Sequence, residues 1–332
     1  MKLKKRHIFT IAACTIAAVF FTCVLVIGLA AEPGSRPIKS DIVRGHENTL
    51  AIDPVEDEVD SLDISWLTGP VTVGISPDDK IHVTERSAKN LDESDKMKVS
   101  VGSGVLTVRW DGQWFRRFFN INLGWFGQKD KELEVLLPAG LSQELITLDV
   151  SNTDGDMSVT GCNAETVDIS TVSGELNVSA CSGDEMNMNT VSGGVELSNV
   201  SAAGSMTVNT VSGGMELSGV TSETLVIDTV SGSCRLAGQS AELNANTISG
   251  DILMSLTSLP EDVDMDSVSG GLTLELPGGS GFTVEHDSVS GSFKCAFPTE
   301  DLGGGRKRCG GGEASIRMNT TSGSMDIRRR EQ

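Results

Sequence analysis

Residues 171–180 read TVSGELNVSA, and the first four of these residues keep returning. TVSG stands again at 190–193, 210–213 and 229–232, TISG at 247–250, SVSG at 267–270 and 288–291, and TTSG at 320–323. Aligned on the glycine, with Asp154-Gly155 as a degenerate first copy, the steps are 19, 19, 20, 19, 18, 20, 21 and 32 residues. A near-constant period of this kind marks a stacked repeat. Two residues after each glycine stand Met157, Leu176, Val195, Met215, Cys234, Ile252, Leu272, Phe293 and Met325. Four after it stand Val159, Val178, Leu197, Leu217, Leu236, Met254, Leu274, Cys295 and Ile327, with a mostly polar residue between. That alternation is a strand with one buried face. A second alternating strand precedes the glycine (Val167/Ile169, Met186/Met188, Met206/Val208, Leu225/Ile227, Leu243/Ala245, Val263/Met265). Two strands fill a period of about 20 residues and leave no room for a helix.

The fold class is therefore all-β, a single-stranded β-solenoid in which each two-strand repeat is one coil, stacked about 4.8 Å from the next. TVSG is the corner, where glycine is expected to take backbone angles closed to other residues. Stacking like on like predicts ladders. Thr or Ser recurs three before the glycine, and Ser170, Asn189, Asn209, Asp228, Asn246, Asp266, Asp287 and Asn319 recur four before it.

Outside the repeat the organisation is read from composition. Lys2, Lys4, Lys5 and Arg6 precede an apolar run from Ile8 to Ala31, long enough to cross a bilayer as one helix. The basic tip should stay cytoplasmic and everything beyond Ala31 should lie outside, giving a single-pass protein of a bacterial cell membrane. The alternative is a signal peptide cut after Leu29-Ala30-Ala31 and a secreted body. Residues 32–60, with Pro33, Pro37, Pro54 and an acidic cluster, read as a stalk. Residues 61–149 read as irregular first coils and a cap. Residues 150–327 read as the regular solenoid, interrupted by a glycine-rich insertion at 298–312 and followed by a basic tail at 328–332.

Composition excludes several functions. The net charge is −20, there is no Tyr, and aromatics make up 4%. Such a surface repels nucleic acid. Neither H-x-x-x-H, C-x-x-C, G-x-S-x-G nor a phosphate-cradling GK[ST] occurs. His7, His46, His82 and His286 are scattered, and His286 falls in an inward column, where a buried, hydrogen-bonded ring is expected. Between Ser151 and Phe297 only Arg235 and Lys294 are basic, against 20 acidic residues, which disfavours a site for acidic polysaccharide. The expectation is a protein without catalytic activity and without an organic cofactor.

Three candidate sites remain. Asp228, Asp264, Asp266 and Asp287 could gather oxygen ligands for calcium. Cys162 and Cys181, each seven residues after a glycine, should sit in neighbouring coils and are a candidate disulfide. Cys234 and Cys295 fall in inward columns and read as small core residues. Finally, residues 110–126 concentrate Trp110, Trp114, Phe115, Arg116, Arg117, Phe118, Phe119, Trp125 and Phe126. Aromatics mixed with arginine suit a partner or membrane surface, and equally a plug for the open end of a solenoid.

The strand Lys131–Gly140 (KELEVLLPAG), the serial TVSG corners and the closing Ile316–Ile327 (IRMNTTSGSMDI) together resemble the bacterial putative-adhesin family over residues 61–327. The resemblance implies an envelope protein of β-strand repeats, with no catalytic residue to carry over. Its partner would be a cell-envelope component or membrane protein. An adhesin-like rod is the first functional expectation; an envelope-stress or scaffold component acting through the aromatic stretch is the second.

Overall fold

The computed structural model describes residues 36–38, 42–44, 46–88, 96–110 and 131–330. It divides into two compact units, one reaching Gly183 and one beginning at Asp184. Among the described residues, apart from a single 3-10 turn at Leu141–Gln143, regular structure is all strand. No helix among the described residues is long and apolar enough to cross a membrane. The apolar run 8–31 lies outside them.

In both units the repeat is a β-solenoid coil: a long strand, a corner and a short strand, paired in parallel and in register with the coils on either side. Inward columns such as Met215, Cys234, Ile252 and Leu272 are buried, and residues between them are exposed or half-buried.

Each letter of TVSG has its own job. From the fourth TVSG-type corner onward the Thr or Ser hydroxyl accepts the N–H of the glycine three residues on, as Thr229 does from Gly232 at 3.0 Å, Thr247 from Gly250 at 2.9 Å and Thr320 from Gly323 at 2.8 Å; the buried Thr190 and Thr210 hydroxyls make no such bond. The motif serine donates both its N–H and its hydroxyl to the valine carbonyl of the neighbouring coil, as Ser231 does to Val211 at 3.0 and 3.3 Å. The glycine is required by crowding. A Cβ on Gly213 would be driven into the carbonyl oxygen of Gly193, and one on Gly232 into that of Gly213. The left-handed backbone expected of the corner occurs at Gly155 (φ 145°) and Gly174 (φ 131°), but not at the later corners, where close stacking alone selects glycine.

The order of coils in space differs from the order in sequence. In the second unit the strand Ala314–Thr320 lies between Asp262–Ser267 and Phe282–Ser288, parallel to both. Met325–Arg329 lies likewise between Leu272–Leu276 and Phe293–Cys295. The final coil is therefore inserted, not added at the end, and the coil 282–295 is outermost. The glycine-rich insertion 298–312 carries a hairpin, Glu300–Gly303 with Arg306–Cys309. Its second strand pairs antiparallel with Phe282–Glu285. The expected basic tail is structured too: Arg328 and Arg329 end a strand, and Arg330 N–H bonds the Leu276 carbonyl.

The first unit repeats the device. Its first coil, Ser61–Thr68 with Val71–Ile75, is sandwiched between the coil 105–137 and the coil 145–160. The outermost coil, 105–137, is covered by antiparallel strands, Met97–Gly102 on one strand and Ile81–Ser87 on the other. Glu47–Ile52 pairs with the latter, so the region expected as a stalk up to residue 60 belongs to the cap from Glu47 onward.

Candidate functional site

The outward columns of the long strands are the chain's most regular surface. In the second unit one column runs Asn209, Asp228, Asn246, Asp266, Asn319, Asp287 in spatial order. Amides and carboxylates alternate because Asn319 is inserted between Asp266 and Asp287. Asn246 Nδ2 donates to Asp228 Oδ1 at 2.8 Å and Asn319 Nδ2 to Asp266 Oδ1 at 2.8 Å, while Asn209 Nδ2 reaches Asn189 Oδ1 at 2.9 Å. Burial pushes the Asp228 carboxyl up, opposed by the Asn246 bond. In the adjacent column Arg317 stands between Asp264 and Glu285 and bonds Asp264 Oδ2 at 2.8 Å. Burial and the neighbouring Asp266 raise Asp264; Arg317 opposes them.

This interleaving separates the residues expected to gather calcium. Asp228 is parted from Asp266 by Asn246, Asp266 from Asp287 by Asn319, and Asp264 is engaged by Arg317. No cluster of three or more His, Cys, Asp or Glu arranged to hold a metal occurs among the described residues.

The first unit carries a stack with no amide spacers, which the repeat pattern did not point to. Asp63, Asp149 and Asp168 are in register on adjacent strands. Arg109 engages Asp63 at 2.7 Å. Burial, then Asp168 and Asp63, raise the Asp149 carboxyl to about 7 against the pull of Arg109.

Of the aromatic stretch, Trp110 is described; Trp114, Phe115, Arg116, Arg117, Phe118, Phe119, Trp125 and Phe126 lie outside the described residues. The Trp110 ring packs 5.2 Å from that of buried Trp66, at 42°. Lys131, the first residue described after the stretch, holds its ammonium 4.1 Å from the Trp110 ring centre and 2.6 Å from Glu85 Oε1. Glu85 is fully buried and also accepts the Met97 N–H at 2.9 Å. Trp110 and Lys131, the described residues on either side of the stretch, are thus held together by the ammonium over the indole ring, with Glu85 fixing the ammonium.

Cys162 and Cys181 are neighbours, as their spacing predicted, but both are free thiols, not a disulfide. The Cys162 N–H points at Cys181 Sγ at 3.5 Å, and the Cys181 thiol donates to the Ser179 carbonyl at 3.3 Å. Hydrogen bonding from Cys162, helped by backbone amides, makes Cys181 the more acidic thiol; the same contact, with burial, pushes Cys162 up. Cys234 is buried as expected, whereas Cys295 is half-exposed. His286 is also half-exposed, its ring stacked on Phe293 at 4.0 Å, because its coil is outermost.

A family model covers residues 59–328 of this repeat array and its cap. The chain belongs to the Toastrack DUF4097 family. The resemblance drawn from the 131–140 strand and the serial corners therefore holds at the level of the family. No curated protein matches the chain. Similar solved structures include a "putative lipid binding protein" from Parabacteroides distasonis, 14% identical over 87% of this chain and 98% of that one, with a TM-score of 0.49. Others are described as putative adhesins. The one from Bacteroides fragilis is 11% identical over 87% and 98%, with a TM-score of 0.43. The one from Parabacteroides distasonis is 11% identical over 87% and 99%, with a TM-score of 0.39.

Two features of this Toastrack chain escaped the repeat alignment. The Asp63–Asp149–Asp168 stack pairs Asp63 with Asp149, 86 residues on in sequence, and only the spatial order of coils aligns them. The Glu85–Lys131 pair sits in strands outside the TVSG period. The signal available was weak: a glutamate at the fifth residue of an alternating strand, where an apolar residue would otherwise be expected.

Proposed function

We propose that the chain is a non-catalytic cell-envelope interaction protein, adhesin-like, held outside the membrane by residues 8–31. The observation that carries this reading is the alternating outward column from Asn209 to Asp287. It offers amide donors and carboxylate acceptors at a repeat of about 4.8 Å. Such an array suits an extended, repetitive ligand, because many weak polar contacts at one spacing add up along its length. Chemistry on a substrate needs groups that converge, and these columns run in parallel with each carboxylate set beside an amide or guanidinium. A polysaccharide-active enzyme is the reading this arrangement supports least.

A second reading has its own observation. The Lys131 ammonium, set over Trp110 and paired with Glu85, holds together the described residues on either side of the aromatic stretch, which suits a scaffold role toward a membrane or membrane-protein partner. Co-sedimentation separates the two. The chain is mixed with isolated cell-wall sacculi and, separately, with membrane vesicles, each with and without EDTA. Saturable wall binding, reduced by Asn209→Ala with Asp228→Ala, is the expected outcome. EDTA sensitivity would add calcium as a cofactor. Retention on vesicles alone, lost on Trp114→Ser with Phe118→Ser, would replace the first reading with the second.

A further inference from the structure

The outermost coils of the two units are closed unequally. In the first unit both strands of coil 105–137 have an antiparallel cover. In the second unit only the long strand of coil 282–295 is covered, by Arg306–Cys309. Among the described residues its short strand, Phe293–Cys295, pairs on one side alone, with Met325–Ile327.

Bond directions fix what lies open. The Met325 N–H donates to the Ser292 carbonyl at 2.8 Å and the Ala296 N–H to the Ile327 carbonyl at 2.8 Å. Lys294, between them, turns its main-chain groups to the same neighbour. Phe293 and Cys295 therefore turn theirs outward, two N–H donors and two carbonyl acceptors along a free edge. Side-chain burial agrees. Leu272, Leu274, Met325 and Ile327, in the same columns, are buried, whereas Phe293, Cys295 and the stacked His286 are half-exposed. The surrounding charges are mixed, but the acid in register beside Lys294, Asp326, is already paired with Arg328 at 2.9 Å, whereas exposed Lys294 and Arg329 are in no ion pair among the described residues. The Arg329 guanidinium sits 5.4 Å over the Phe297 ring. Lys307 shares a side of its strand pair with Val284 and lies close enough to His286 to help burial lower that ring's pKa; its nearest acid is Asp301 at 3.5 Å.

We propose that Phe293–Cys295 is a strand-addition site that receives an extended acidic segment of a partner protein. Natural sheets cover or charge their edges, and this edge is bare in main chain and apolar on its inner face. The incoming strand would complete the outward N–H and C=O groups and lay an apolar side chain over Phe293 and His286. Its acidic residues would face Lys294 and Arg329. Charge also decides against a second copy of this chain: antiparallel pairing centred on the strand would set Lys294 opposite its own counterpart. This surface is separate from the ladder columns, so the inference does not rest on their role.

The test titrates the full chain against two fluorescein-labelled peptides, one alternating glutamate with valine and one alternating lysine with valine, read by anisotropy. Saturable binding of the glutamate peptide alone is expected. Cys295→Pro removes an outward N–H together with the thiol and should weaken binding by about tenfold, with Cys295→Ala as the control that removes the thiol alone and should bind as the parent does. Lys294→Glu should reverse the peptide preference, and decides the matter alone if the proline variant does not fold. No saturable binding, or binding indifferent to both Cys295→Pro and Lys294→Glu, overturns the proposal. So does a concentration-dependent dimer abolished by Cys295→Pro, which would put a second copy on the edge.

Discussion

Replacing Asn319 by Asp tests the inserted coil directly. In spatial order Asn319 stands between Asp266 and Asp287 and donates to Asp266 at 2.8 Å. The substitution converts an alternating column into three successive carboxylates about 4.8 Å apart. Each new pair repels by about 1 kcal/mol in a water-like medium and about 3.5 kcal/mol at an effective dielectric of about 20. Loss of the amide donor to a charged acceptor removes about 1.5–3 kcal/mol more. Protonation limits the charge penalty: a carboxyl of ordinary pKa about 3.9 can take up a proton at pH 7 for about 4 kcal/mol. Half-burial places the net loss at about 3 kcal/mol at pH 7. The folded-state pKa of the new carboxyl is raised, so the loss grows as pH rises above about 4 and shrinks below it. Urea unfolding of the purified chain at pH 7 and at pH 4 measures both. Asn246→Asp is the companion variant, since Asn246 separates two aspartates in sequence order as well as in space. Were the coils stacked in sequence order, Asn319 would touch only Asp287 and its variant would be much the milder. A loss under about 1 kcal/mol at pH 7, or one that ignores pH, refutes the insertion.

Three further outcomes follow from the same geometry. Asp149, raised to about 7, binds a proton in the fold that it loses on unfolding, so its contribution falls as pH rises from about 4 through 7. Asp149→Asn should therefore raise the melting temperature more at pH 8 than at pH 5, and equal gains would count against the carboxylate stack. Lys131→Met leaves fully buried Glu85 without its cation and should cost about 3–5 kcal/mol, with part of it recovered in Lys131→Met/Glu85→Gln, whose amide oxygen still accepts the Met97 N–H; chemical denaturation of both variants checks this. Gly213→Ala drives a methyl into the Gly193 carbonyl and should cost about 3 kcal/mol or more, whereas Gly278→Ala meets nothing within 4 Å and should stay within about 0.5 kcal/mol.

The coil itself was legible in sequence because its determinants are local. The inward columns at two and four residues after each glycine, and the corner between them, are set by neighbours a few residues away. Thr229 and Gly232 close their own turn, and the pattern states as much. Which coil lies beside which is not a local property. Strands 262–267, 282–288 and 314–320 carry the same alternation, and any stacking order would bury the same face. What distinguishes the orders is the outward columns, where Arg317 and Asn319 match acids on both sides. The candidate sites followed suit. Proximity of Cys162 and Cys181 was readable from their spacing, and so was Asn246 between Asp228 and Asp266, while the separation of Asp266 from Asp287 depended on a strand that comes 32 residues after its place in line.

The inserted coil has a consequence for synthesis on the ribosome. Residues 262–295 emerge before residues 314–329, so two coils exist for a time with nothing yet made to go between them. If they closed on each other, Asp264 would face Glu285 and Asp266 would face Asp287 along the whole outward edge. Like charges in register hold that premature contact apart. The strand that arrives last brings Arg317 and Asn319, the two side chains that both sides of the gap can accept. A nascent chain halted before residue 314 would then lack a middle layer, and its acidic faces would keep the vacancy open.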